Sequence, residues 1–161
     1  MSKYDELASL LIANQEDHLG LKFQCTDFVR KLRTGLVANW GIPDQHCSLF
    51  AVDGYLEPLI NERLINKGFV LEDGYWYFCL SIKYQLGGKN LFVFSDNVMG
   101  VNKEGSHFVI KFYDKVFKIA DDSAADHEAC YNGMYQAFKQ AYLDDRDGKK
   151  ATFGFHIRKE Q

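Results

Sequence analysis

The chain is poor in the features that announce most chemistries. Its four cysteines, Cys25, Cys47, Cys79 and Cys130, are widely spaced and form no CxxC pair, so neither a zinc-finger nor a redox-pair pattern is present. No stretch approaches the roughly 20 apolar residues of a membrane-spanning helix. Net charge is −3 and no run of like charge exceeds a few residues, so the clustered basic face of a nucleic-acid binder is missing. Residues 96–105 are glycine-bearing but contain neither GxGxxG nor GxxxxGK, which removes a phosphate cradle. There is no internal repeat, low-complexity segment or linker. The opening residues Met1-Ser2-Lys3-Tyr4-Asp5-Glu6 lack the basic-then-apolar order of a signal peptide. These absences predict no cofactor, no metal, no nucleic-acid and no membrane partner. They also predict a reducing, cytoplasmic setting, with delivery by a route that needs no signal peptide as the alternative.

What is present predicts a folded globule. Of 161 residues, 47% are hydrophobic and 15% aromatic, enough to bury a core, and the whole chain, 1–161, reads as one domain. Residues 3–18 carry Tyr4, Leu7, Ala8, Leu10 and Leu11 at helical spacing, which predicts an amphipathic helix facing the core and ended by Gly20. A second helix is expected from Cys25, with Phe28, Val29, Leu32, Leu36 and Trp40 on one stripe, Gly41 as its cap and Pro43 as its stop. Residues 44–55 predict a strand closing at Asp53-Gly54. Pro58 predicts a helix carrying Leu59, Ile60, Leu64 and Ile65 with Gly68 as cap. Residues 75–84 alternate strongly, with Trp76, Phe78, Leu80 and Ile82 on one face and Tyr75, Tyr77, Cys79 and Ser81 on the other. Gly87-Gly88 then turns the chain, and residues 96–105 are expected as a loop. Tyr75, Tyr77 and that loop are the expected cleft walls. A last helix spans about 123–143, with His127 in solvent, and residues 151–158 close as a strand with Phe153, Phe155 and Ile157 on one face.

Three residue types fall in an informative order. Cys25 is expected at a first helical turn, where backbone N–H groups favour a thiolate. Gly105-Ser106-His107-Phe108-Val109-Ile110-Lys111-Phe112 reads as a strand, and Val116-Phe117-Lys118-Ile119 leads to Asp121-Asp122. With Asp114-Lys115 as a two-residue turn, Phe112 faces Phe117, Ile110 faces Ile119 and His107 lies opposite Asp122. A one-residue bulge would select Asp121 instead. Cys25, His107 and Asp122 in this order are the layout of a nucleophile–base–orienter triad.

The segments QCTDFVRKLRTGLVANWGIP and HFVIKFYDKVFKIADD resemble the transglutaminase-like superfamily of papain-like thiol enzymes. The resemblance covers 36 residues in two blocks. It implies an α+β, papain-like fold in which N-terminal helices carrying the cysteine pack on an antiparallel sheet carrying the histidine. It also implies a cysteine hydrolase or acyl transferase acting on an amide, peptide-like or protein substrate through a Cys25 thioester. His107 would move the proton and Asp122 would orient the imidazole. The chain departs from the family at Gln24, where glycine is common nearby, and at Phe108, where tryptophan often follows the histidine. The competing reading is a non-enzymatic binding protein, such as a toxin-neutralising immunity protein or inhibitor. Small size, acidity, aromatic richness and the lack of a cofactor motif fit it equally well.

Overall fold

A computed structural model describes residues 2–63, 70–85, 92–112 and 115–147, and the backbone of 155–159. Residues Lys3–Trp40 form a single 38-residue helix, α1. Ser2 and Asp5 close a capping box at its start, Ser2 Oγ accepting from the Asp5 N–H at 3.1 Å. Gly41, at φ +70°, ends it in the left-handed conformation that favours glycine. The expected break at Gly20 does not occur. An interior glycine costs only about 1 kcal/mol relative to alanine, and the apolar spacing continues through Leu21 to Cys25, so the helix has reason to run on. Thr26 is therefore a mid-helix residue, and its hydroxyl donates back to the Lys22 carbonyl at 2.8 Å.

A short 3-10 turn (Asp44–His46) leads into β1 (Cys47–Val52). Asp53 Oδ1 accepts from the N–H groups of Tyr55 and Glu57, which closes the Asp-Gly turn. The segment opened by Pro58 is a strand, β2 (Pro58–Arg63), and not a helix. It pairs with β1 from Val52↔Pro58, so sheet pairing overrides the helix-start signal of a proline. Leu64, Ile65 and the Gly68 cap lie outside the described residues, as does the Gly87-Gly88 turn. β3 (Val70–Glu72) and β4 (Tyr75–Gln85) follow. Residues 96–105, expected as a loop, belong mostly to β5 (Phe92–Glu104), which pairs with β4 from Trp76↔Val101 to Gln85↔Phe92. Gly100 favours close packing there, since a Cβ would stand 3.1–3.2 Å from the Tyr75 and Tyr77 side chains.

β6 (His107–Phe112) and β7 (Lys115–Ala120) form the next hairpin. Its register differs from expectation. Phe112 pairs with Lys115, Ile110 with Phe117 and His107 with Ala120. Lys115 thus belongs to the strand, and Asp114 lies outside the described residues. α2 (Ala124–Arg146) is capped by Ser123, whose hydroxyl accepts from the Asp126 N–H, and β8 (Phe155–Lys159) is the last described element. Phe153 is not among the described residues.

The eight strands make one antiparallel sheet in the order β2-β1-β4-β5-β6-β7. Its two long central strands share their outer edges end to end. β1 and β3 divide the free edge of β4, and β6 and β8 divide that of β5. Both helices lie on one face. There Phe28, Val29, Leu32 and Leu36 of α1 meet Trp76, Phe78, Leu80 and Ile82 of β4, Phe108, Ile110 and Phe112 of β6, and Met134 and Phe138 of α2. The other face carries a smaller cluster of Phe50, Val52, Tyr77, Cys79 and Val98. The class is therefore α+β, with helix-borne and strand-borne halves joined through one antiparallel sheet. Among the described residues no helix is long and apolar enough to cross a membrane.

Candidate functional site

The structure distributes the triad candidates over two faces of the sheet. Cys25 is the twenty-third residue of α1, not its first turn. Its surroundings lack the unpaired N–H groups of a helix start, which is where the dipole stabilises a thiolate. The side chain has no exposure, and burial pushes the thiol up to about 11, with the Lys103 ammonium pulling it the other way. At neutral pH Cys25 is a protonated, interior thiol.

His107 is exposed at the first position of β6, and its Nδ1 lies 3.3 Å from Ser106 Oγ. Phe108, Ile110 and Phe112 turn toward the helices, so alternation sets His107 with Val109 and Lys111 on the opposite face. Lys111 confirms that assignment, its ammonium bonding Asp73 at 3.1 Å beside the Tyr75 ring. The sheet therefore stands between the Cys25 and His107 side chains. Asp122 lies beyond β7, two residues past the partner of His107, in the turn before α2. The neighbouring Asp121 is engaged by other groups: Lys31 Nζ donates to its carbonyl and carboxylate oxygens at 3.0 Å each. His127 Nε2–H donates to the same carbonyl at 3.0 Å.

His127, expected in solvent, is buried, with its ring centroid 5.7 Å from that of Phe28 and 6.2 Å from that of Tyr131. Spacing could have found it, because 127, 130, 134 and 138 follow the same stripe of α2. Tyr77, expected as a cleft wall, is packed under the sheet, and its hydroxyl donates to Asp73 at 2.8 Å. Among the described residues no group of three or more His, Cys, Asp or Glu is placed to hold a metal ion.

A different concavity has the make-up of a ligand site. Between the C-terminal end of α1, the middle of α2 and the end of β4 lies a groove of about 590 Å³, walled by Trp40, Tyr135, Phe138, Tyr84 and Tyr142, with Lys139 at its rim. The rings brace one another. Trp40 meets Tyr135 and Phe138 edge-on at 5.9 and 5.2 Å, and its Nε1–H donates to the Tyr131 carbonyl at 3.2 Å. On the sheet side the hydroxyls form a chain. Tyr84 and Tyr142 share a hydrogen bond of 2.8 Å, and Tyr142 donates to Ser95 Oγ at 3.0 Å. Burial raises both phenols; the Tyr142 hydroxyl raises Tyr84 further, while the hydrogen bonds with Ser95 and Tyr84 partly offset the rise at Tyr142. They stay neutral at physiological pH, so the groove offers aromatic faces, neutral hydroxyls, the amides of Asn39 and Asn132, and one ammonium. The sequence signals were Trp40 at the end of the α1 stripe and the aromatic residues of the last helix. Only the fold brings them to one place.

No protein-family model, curated protein or solved structure matches this chain.

Proposed function

We propose that this is a non-enzymatic binding protein that holds a peptide-like segment of a partner protein in the aromatic groove. The observation carrying this reading is a pre-formed cleft whose walls are rings packed on one another and whose polar groups (tyrosine hydroxyls, Asn39 and Asn132) are uncharged apart from Lys139. Such walls favour proline, aromatic or aliphatic side chains, and Lys139 favours a carboxylate beside them. A neutralising or inhibitory protein of the immunity type is one use of such a cleft.

The test is selection from a phage-displayed random-peptide library, followed by titration of the enriched peptides. Tyr135 is half exposed at the lip, so Tyr135→Ala should leave the unfolding transition in place and weaken binding by at least about tenfold. Failure to enrich any peptide, or equal binding by the variant, would refute this use of the groove.

The second reading is a papain-like, transglutaminase-like thiol enzyme acting through a Cys25 thioester, with His107 and Asp122 as base and orienter. The order of the two sequence blocks supports it. It requires a conformation in which the Cys25 thiol leaves the interior and meets His107 around the sheet. Iodoacetamide decides: rapid, stoichiometric labelling of Cys25 in the folded protein would favour the enzyme, and labelling only in denaturant would favour the binding protein.

A further inference from the structure

The N-terminal half of α1 is an apolar face without cover. Tyr4, Leu7, Leu11, Asn14, His18, Leu21, Cys25, Phe28 and Leu32 follow one another in alternate steps of three and four, the spacing of a single continuous seam. From Leu21 onward the seam is covered by the sheet and α2, and the His18 ring sits 4.6 Å from Trp76 at the margin. Before that, the helix is an arm. Tyr4 is 79% exposed, Leu7 67%, Leu10 68% and Leu11 60%. A solitary helix of this length is marginal in water, since most helical stability comes from packing an apolar face. We propose that the occupant of this arm is the arm of a second copy, packed antiparallel across a two-fold axis.

Three observations choose that occupant. The first is direction. The arm's seam points the same way as the covered half, toward the side occupied by its own sheet. A parallel partner would drive each body into the space of the other's helix. An antiparallel partner continues where each sheet ends and leaves the bodies at opposite ends. The second is complementarity. With Leu7 of one arm against Leu11 of the other, Leu10 meets its own copy beside the axis and Tyr4 comes opposite Asn14, a hydroxyl facing an amide. In the same register Lys3 comes opposite Asp17, and symmetry makes each pairing twice. The third is area. Tyr4, Leu7 and Leu11 of the seam and Leu10 beside it, at on the order of 100 Å² each, with Ala8 and Asn14 added, bring the two arms to roughly 1,000 Å², the threshold of a stable interface. The dimer is independent of the aromatic groove, which lies at the other end of α1.

Sedimentation of the full chain over a concentration series tests the proposal. A reversible monomer–dimer equilibrium is expected, and Leu7→Glu with Leu11→Glu should raise its dissociation constant at least about 100-fold. The body's unfolding transition should stay in place, because the arm does not contribute to the core. Lys3→Glu or Asp17→Lys alone should weaken the dimer about 2–10-fold, and the two together should restore it. Asp27 is well exposed on the outer face of α1, and a spin label at Asp27→Cys reads direction. At 1.5 Å per residue the antiparallel register puts the two labels roughly 54 Å apart along the helix axis. A monomer at every concentration, a label distance below roughly 30 Å, or a dimer indifferent to the Leu7/Leu11 change would each overturn the proposal.

Discussion

Along α1 the same residue pattern meets two different surroundings. From Cys25 to Leu36 the stripe is dry, with Phe28 stacked on Phe108 at 4.1 Å and Leu32 and Leu36 without exposure to speak of. From Tyr4 to Leu19 equally apolar residues stand in solvent. Nothing in the local sequence separates the halves: the helix is uninterrupted, and each half carries one interior glycine, Gly20 and Gly35, that does not end it. The comparison teaches that amphipathic spacing reports which face of a helix can be covered, not by what. In the second half the chain supplies the cover itself, and in the first half the cover comes from elsewhere.

The largest break in that contrast is expected at Phe28. Phe28→Ala removes a ring packed between Phe108 and His127 and should cost about 3–5 kcal/mol of unfolding free energy, read from urea titration. A loss under about 1 kcal/mol would mean the covered half is far less tightly packed than it stands here. Alkali should act next. Burial holds Cys25 and Cys47 at about 11 and Cys130 at about 12, against an ordinary 9.0. The unfolded chain releases these protons first, so stability is full below pH 9 and falls as pH rises through 11. The slope should reach about 1.4 kcal/mol per pH unit for each participating thiol. A flat profile over that range would show that the thiols ionise without unfolding. Cys25→Ser should follow, at about 1–3 kcal/mol, because it leaves a hydroxyl in a site that offers the sulfur only packing; a neutral result would reveal an unseen polar partner. The smallest effect belongs to the arm. Leu19→Ala, outside the proposed seam, should change stability by no more than about 0.5 kcal/mol when measured by urea titration of dilute protein. A larger loss would place Leu19 inside the core.

Much of the architecture was legible from spacing because it rests on local periodicity. The buried stripe from Cys25 to Leu36, the two faces of residues 75–84, the Asp53-Gly54 turn and the Ser123-capped helix all follow from side-chain periods of 3.6 or 2 with their stop signals. The misreadings have a common cause. Pro58 looked like a helix start, and residues 96–105 like a loop, because their strand character comes from hydrogen bonds to β1 and β4 rather than from their own composition. The hairpin register slipped by two residues because apolar matching of Phe112 with Phe117 is nearly as good as the observed pairing of Ile110 with Phe117.

By itself, then, the amino-acid sequence determined the helix and strand faces, the residues that must be dry and the polar caps that bound them, since each depends on neighbours within a few positions. It also set Cys25, His107 and Asp122 in nucleophile–base–orienter order along the chain. Tertiary structure alone decided that Cys25 is interior on one side of the sheet and His107 exposed on the other, that Trp40 and Tyr142 share a groove, and that half of α1 has no cover. The physical reason is that sequence order carries no information on which side of a sheet two distant segments come to rest. That choice belongs to strand pairing and to the burial of the helices on one face, and both are properties of the whole chain.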